Sequence, residues 1–355
     1  MSLAVTTRDY RTSLILAGLG VCLLITVLFS LATGAVGIPV RDVVLILLHK
    51  IGLFQHVVVD STYDIVLSSI RLPRILMTLL IGAALGVSGT ALQGLFRNPL
   101  VEPGLIGVSG GSASAVVVVI VFGKYLALPS SGLIHNGILS LVAFGGGLLV
   151  TMLVLRLSNQ LGKTNVAVLI LTGVAVGALA NAVIGLSIFY ADENQLRTFT
   201  FWTLGDLGGA TWDKLLIASP ILIGAIAALL FFAGPLNALV LGESEAYYVG
   251  VDVERSKRLI IVFAALAVAV SVSLAGIIGF VGLVVPHVIR VSFYSDNRLV
   301  LPASVICGAL LLVVADIIAR TIVTPSELPI GVVTAFIGAP FFMALLMKAK
   351  RKNEL

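Results

Sequence analysis

Charge-poor apolar runs alternate along the chain with short charged interruptions, and the runs fall at 13–33, 75–96, 105–122, 137–157, 166–190, 215–233, 258–276, 279–294, 299–319 and 328–347. A helix needs about 20 largely apolar residues to cross a hydrocarbon layer of about 30 Å. Inside that layer every backbone N–H and C=O must find a partner within the protein, which a helix provides by itself. The pattern predicts an all-α polytopic membrane protein with ten transmembrane helices in a single domain, 1–355. Residues 259–289 form one uncharged run, too long for one span and short for two. Gly276, Gly279, Gly282 and Pro286 predict a break there, followed by a short second helix.

The interruptions differ in character. Residues 236–258, LNALVLGESEAYYVGVDVERSKR, crowd Glu243, Glu245, Asp252, Glu254, Arg255, Lys257 and Arg258 into one interval that has to lie in water. Gly242 and Gly250 bracket a helix-sized piece, because glycine readily takes the left-handed conformation that ends a helix, and VDVERSKR opens another. The expected structure is a compact platform of short helices. The connection 34–70 contains IPVRDVVLILLHKIGLF, whose mixed character fits a helix resting on the membrane surface. Within 191–212, FTFWTLG is too short to span yet apolar enough to turn back into the protein, an arrangement tolerated only where the backbone is buried or lines a cavity. Trp202 and Trp212 suit either an interfacial belt or a cavity wall. Gly82 with Gly86, and Gly173 with Gly177, form GxxxG pairs along which helices approach closely; packing inside one subunit accounts for any single pair.

Composition narrows the class. Of 355 residues, 59% are hydrophobic and 11% charged, with a mean hydropathy of +1.15, whereas a soluble domain carries roughly 25% charged residues. The net charge of +5 does not point to nucleic acid, since the basic residues sit between apolar runs, where they set topology. Ten spans put both termini on one side. That side would hold 14 basic residues (Arg8, Arg11, Arg97, Arg156, Lys163, Arg255, Lys257, Arg258, Arg290, Arg298, Lys348, Lys350, Arg351 and Lys352) against 8 on the other. Cytoplasmic termini and a cytoplasmic platform are therefore expected, with 34–70 and 191–212 outside. Arg8 and Arg11 before an apolar run resemble a signal peptide, but an uncharged 12–40 followed by more spans makes a first transmembrane helix the expectation. Cys22 and Cys307 lie in apolar runs and support neither a disulfide framework nor a thiolate metal site.

Candidate chemistry is sparse. LGKT at 161–164 is the one phosphate-loop candidate, and Leu157 stands where its first glycine is required, so ATP would have to be handled by a partner. His49, His56, His135 and His287 are scattered, without HExxH spacing; His287 reads as a polar residue satisfied locally at the break. No paired intramembrane carboxylates mark a proton relay, and Asp316 lies near a helix end. This counts against an ion-coupled secondary transporter, which places ionisable groups at mid-membrane. A membrane-embedded enzyme would need a nucleophile or metal constellation, and none is evident. On the outer side, Arg71 and Arg74 share a helix face across RLPR, and Arg320 sits at another outer end, against the positive-inside trend. Arginine pairs bidentately with carboxylates, so an acidic docking partner and lipid headgroups each account for these residues.

RLPRILMTLLIGAALGVSGTALQGLFRNPLVEPGLIGVSGG at 71–111, LGESEAYYVGVDVERSKR, AGIIGFVGLVVPHVIR at 275–290 and ELPIGVVTAFIGAPFFMALL at 327–346 together resemble the permease subunits of binding-protein-dependent ABC importers for iron-siderophore, haem and cobalamin, the FecCD family with the type II importer fold. The resemblance runs from about residue 14 to residue 350. It implies ten transmembrane helices, a homodimer around a central pathway in the bacterial inner membrane, two cytoplasmic ATPase subunits that bind ATP and Mg, and a periplasmic or lipid-anchored binding protein. The chain would then be a transport subunit rather than an enzyme, with no cofactor of its own.

Carried over by position, Arg71 and Arg74 resemble the external arginines that pair with acidic residues of the binding protein, and Arg320 matches a third. The platform resembles the coupling helices that seat in each ATPase, with Gly242, Glu243, Ser244, Glu245, Gly250, Val251 and Asp252 as contacts. On that basis, charge reversal at Glu243 and Glu245 is expected to lower coupled uptake and leave folding intact. FRNPLVEPG resembles the turn near the cytoplasmic gate, which Asn98 and Pro99 would help to close; a purely structural turn is the alternative. ENQLRTFTFWTLGDLGGATW resembles iron-complex permeases somewhat more than cobalamin permeases, so haem or a ferric siderophore is expected ahead of cobalamin.

Overall fold

The computed structural model describes residues 2–54, 59–126, 132–160 and 162–351; His56 and Lys352 lie outside them, as does the side chain of His135. The helices are α1 (Ser2–Ala32), α2 (Val40–Lys50), α3 (Ser61–Ile65), α4 (Leu72–Phe96), α5 (Val108–Phe122), α6 (Gly132–Leu157), α7 (Val166–Phe189), α8 (Glu193–Leu204), α9 (Trp212–Phe231), α10 (Ala233–Leu241), α11 (Glu243–Tyr248), α12 (Val253–Ala275), α13 (Val281–Ser292), α14 (Asn297–Thr321) and α15 (Ile330–Arg351). A π-helical turn, Val66–Arg71, joins α3 to α4. Asn159–Gln160 and Lys163–Thr164 pair as a small antiparallel hairpin between α6 and α7.

Among the described residues, eight helices are long and apolar enough to cross a membrane. The expected eighth span coincides with the shorter apolar helix Val281–Ser292, and the expected tenth with the 22-residue α15. The all-α polytopic class stands, with eight helices meeting the length and composition of a crossing among the described residues. At 1.5 Å per residue, the 12 residues of α13 reach only about 18 Å.

The bundle is built around α4, where every residue from Ile81 to Phe96 is buried. A helix that is apolar all round has to be covered all round, and here glycine sets how closely. A Cβ added at Gly82 would press on the Gly308 carbonyl and come within 2.9 Å of the Ala309 Cα; Gly86 meets the Ser304 carbonyl and Gly89 the Gly282 carbonyl in the same way. Backbone thus rides on backbone, α4 against α14 and α13, and Thr90 adds a 2.6 Å hydrogen bond to Ser304. The first GxxxG pair is packing within one subunit. Of the second, Gly173 lies on the Leu105 carbonyl and Gly177 faces open space.

α4 also defines two ends. Arg74 marks one, and 20 residues or about 30 Å on, Gly94 packs on Leu236 of α10 at the other. α14 runs the opposite way, from Asn297, which bonds Asn237 of α10, to Arg320. The molecule therefore has a platform end, carrying 236–258, and an arginine end.

The predicted break is present. α12 stops at Ala275, Gly276 has φ +70°, and helix resumes at Val281. The freed backbone is used in tertiary bonds: Asp206 N donates to Ala275 O at 2.9 Å and Ile330 N to Gly205 O at 3.1 Å. The stretch expected to turn back from 191–212 forms α8, opened by a capping box between Asp192 and Gln195. Its last turn meets the break and the start of α15 backbone to backbone, and Phe199 is buried in a cluster with Val117, Val121 and Leu139. The surface helix expected within 34–70 is α2, whose Val43 and Ile46 are buried in a cluster with Leu31 of α1.

Candidate functional site

At the platform, each short helix is delimited as the sequence dictates. Gly242 has φ +144°, a backbone conformation that residues with a side chain rarely adopt, and the Glu245 carboxylate folds over it. α11 ends through Gly250 at φ +87°, with Gly250 N bonded to Tyr247 O and Val251 N to Ala246 O, both at 3.0 Å, a left-handed helix stop. Asp252 caps α12 by accepting from Arg255 N at 3.1 Å. Ser244, Gly250, Val251 and Asp252 line a groove of about 1080 Å³ together with Glu243, Tyr247 and Tyr248.

One expected contact, Glu243, also pairs within the chain. Lys257, only 2% exposed, pairs with Glu243 at 3.0 Å and Glu254 at 2.6 Å and donates to the Thr164 carbonyl at 2.9 Å. Glu254 in turn accepts from Thr164 N at 2.8 Å, and Arg258 donates to the Gly162 carbonyl at 2.5 Å. Reversing Glu243, whose side chain is 50% exposed, would set a second cation beside this ammonium, so its effect on folding has to be measured together with coupling. The exposed groups on the platform include Tyr247 and Tyr248, 71% and 85% exposed, and the adjacent Val249. They fall inside the 242–252 stretch expected from the sequence to make contact, and neighbouring aromatics in a charged loop fit a docking surface, where Tyr is enriched and Glu depleted.

At the arginine end, the three guanidiniums are buried in a cluster internal to the chain. Arg74 reaches Asp316 at 2.8 Å and Glu327 at 2.8 Å, and Arg320 reaches Asp316 at 3.0 Å. Arg320 also donates to Ser30 Oγ at 2.8 Å and the Thr33 carbonyl at 3.1 Å; Arg71 donates to the Leu31 carbonyl at 2.5 Å and to the Val36 carbonyl. The cluster ties α1, α4 and α14 together. Arg74 and Arg320 thus find the chain's own carboxylates, Asp316 and Glu327, and Arg71 finds main-chain carbonyls, so these internal pairs compete with the docking role expected for the three arginines. Beside the cluster, a cleft of about 630 Å³ is lined by Arg74, Trp202, Asp206, Lys214 and Glu327. Trp202 is thus a cavity wall, while Trp212 donates its indole N–H to the Ser68 carbonyl at 2.9 Å.

Between the ends, α4 is stopped by Arg97 at φ +50°, and Asn98 Oδ1 accepts from Leu100 N at 2.9 Å. Asn98 and Pro99 therefore form a helix-ending turn at the platform end. The chain then climbs back: an added Cβ at Gly282 would lie 3.1 Å from Pro103 and 3.0 Å from the Leu85 carbonyl, at the middle of α4. There Glu102 Oε1 accepts from Phe280 N at 2.9 Å. Phe280 has φ +68° and opens α13, so the carboxylate sits where unpaired N–H groups and the helix dipole favour a negative charge. An ionisable acid midway along the bundle was not expected from sequence. Nearby, Arg290 donates to Gln93 Oε1 at 2.6 Å. Leu204, Ile277, Phe280, Phe336, Pro340 and Met343 line an apolar groove of about 740 Å³. Among the described residues, no three His, Cys, Asp or Glu side chains converge as a metal site, and His287 stacks edge-on against Phe341 at 5.9 Å.

Known proteins resemble this chain in sequence and in fold. The hemin transport system permease protein HmuU of Yersinia pestis is 40% identical over 295 residues, 83% of this chain and 86% of the relative. A vitamin B12 import system permease protein BtuC of Klebsiella pneumoniae is 37% identical over 338 residues, 95% of each chain. A solved structure, described as an inward-facing conformation of a metal-chelate type ABC transporter, superposes with a TM-score of 0.79 at 33% identity, covering 94% of this chain and 99% of that one. The model of the FecCD transport family matches residues 22–348, and with the fold and these relatives in agreement, the chain belongs to that family of ABC importer permeases.

Proposed function

We propose that this chain works as a homodimer in the bacterial inner membrane, drawing energy from two cytoplasmic ATPase subunits and receiving an iron complex, haem or a ferric siderophore, from a periplasmic or lipid-anchored binding protein. The carrying observation is the platform: exposed Tyr247, Tyr248 and Val249 beside an open groove, in a sequence whose LGKT lacks the glycine a phosphate loop needs. Such a surface suits a partner that supplies the ATP site. The excess of basic residues at the platform end supports a cytoplasmic location for it.

ATP binding would draw the ATPases together and move the platform helices, and the bundle would alternate between outward and inward access without covalent chemistry on the cargo. The apolar groove beside the unwound 276–280 segment suits a bulky planar cargo, and a wall with few polar groups binds it weakly enough to release it. The binding protein would dock at the arginine end, on the rim formed by Asp206, Lys214 and Glu327. Cobalamin is the second reading, favoured by relatives named for vitamin B12 at similar identity. The test is uptake into proteoliposomes containing permease, ATPase and binding protein, with labelled haem, ferric siderophore and cobalamin offered in competition. Saturable uptake of an iron complex supports the first reading, and uptake of cobalamin alone overturns it in favour of the second.

A further inference from the structure

An ammonium carries three N–H donors, and those of Lys257 are spent on three separate elements. Glu243 belongs to α11, Glu254 to the first turn of α12, and the Thr164 carbonyl to the hairpin between α6 and α7. The hairpin is held a second time by Thr164 N on Glu254 and a third by Arg258 on the Gly162 carbonyl. The next residue, Asn165, caps α7 by accepting from Ala167 N at 3.0 Å and Val168 N at 3.2 Å. No flexible linker separates the clamped hairpin from the helix it leads into.

α7 is among the least buried members of the bundle. Its buried residues, Leu169, Gly173, Ala180 and Ser187, form one narrow stripe, while Leu171, Val174, Leu179, Asn181 and Leu186 are exposed. Few buried contacts leave such an element free to shift as a unit.

Building on the ATPase-driven reading above, we propose that Lys257 is the positioning residue through which movement of the platform reaches α7. A partner that displaces α11 moves Glu243; the buried ammonium follows its carboxylates and carries Thr164, and with it the capped start of α7. Lys257 is 2% exposed while the Glu243 and Glu254 side chains keep 50% and 29% of their surface in solvent, so the ammonium is shielded from salt while its carboxylates stay within reach of a partner that moves them.

The test uses the full complex in proteoliposomes, with ATP hydrolysis and cargo uptake measured on the same sample. Lys257→Met is expected to retain hydrolysis within about twofold and to lower uptake per ATP by roughly tenfold, the scale of a lost coupling of about 1.4 kcal/mol. Lys257→Arg, which keeps the charge, is expected to restore part of the ratio. Should the single variant fail to assemble, Lys257→Met/Glu254→Leu leaves no uncompensated buried charge and is read by the same ratio. In a background with Cys22 and Cys307 replaced by serine, a thiol introduced by Asn181→Cys is expected to change its reactivity on ATP addition, and Lys257→Met to abolish that change. An uptake-to-hydrolysis ratio equal to wild type, or an undiminished ATP-dependent thiol response, overturns the proposal. A wild-type complex that hydrolyses ATP without any uptake would instead refute the functional reading on which it rests.

Discussion

Replacing Asp316 by alanine separates a structural arginine cluster from a docking surface. The Asp316 side chain is 0% exposed and holds Arg74 at 2.8 Å and Arg320 at 3.0 Å. Removing one partner of a buried ion pair costs about 3–5 kcal/mol, because the remaining charge is left uncompensated in a poorly polarisable surrounding. Here two guanidiniums lose the same carboxylate. Arg74 keeps Glu327 at 2.8 Å, and Arg320 keeps Ser30 and Thr33, so the loss falls near the lower figure, about 3 kcal/mol. Glu327→Gln serves as the comparison: its side chain is 43% exposed, and a solvated pair contributes about 1 kcal/mol or less. The assay is the midpoint of heat-induced loss of the monodisperse peak in detergent. Asp316→Ala should lower that midpoint by several times the Glu327→Gln shift, with Asp316→Asn in between. An unchanged midpoint, accompanied by altered affinity for the binding protein, would refute the reasoning and return the arginines to docking.

Other positions give equally direct readouts. Gly82→Leu has to push α14 away from α4, so the permease should fail to run as a monodisperse peak, whereas Gly177→Leu, which meets open space, should behave as wild type. Tyr247→Glu/Tyr248→Glu should leave the thermal midpoint unchanged and abolish co-purification of the ATPase subunits; retained co-purification would remove the tyrosines from the interface. Glu102→Gln keeps an acceptor for Phe280 N and should lower the midpoint little. Glu102→Leu leaves that donor unpaired and should cost about 1–3 kcal/mol; equal midpoints for the two would show that the bond holds nothing.

Much of the architecture is legible locally. Charge-poor runs locate each helix because the hydrocarbon layer penalises charge over a whole span. Gly276 marks the break because only a permissive residue takes its backbone angles. Gly242 and Gly250 delimit α11 by the same logic. What local pattern conceals is which charges find each other. Arg74 and Asp316 are 242 residues apart and Glu102 and Phe280 are 178 apart, so each reads alone as an anchoring or solvated residue. Lys257 counts in sequence as one more cytoplasmic cation and is in fact nearly inaccessible. The short α13 and the full-length α15 both follow the expected pattern, while the tertiary bonds that use the freed backbone of Gly205 and Ala275 leave no local trace.

The most direct test of the platform's assignment is the energy source of transport. Proteoliposomes holding the permease with its ATPase and binding protein should take up labelled cargo when given ATP and Mg without any ion gradient, and should stop when Tyr247→Glu/Tyr248→Glu is introduced. Uptake driven by a proton or sodium gradient in the absence of the ATPase would contradict it.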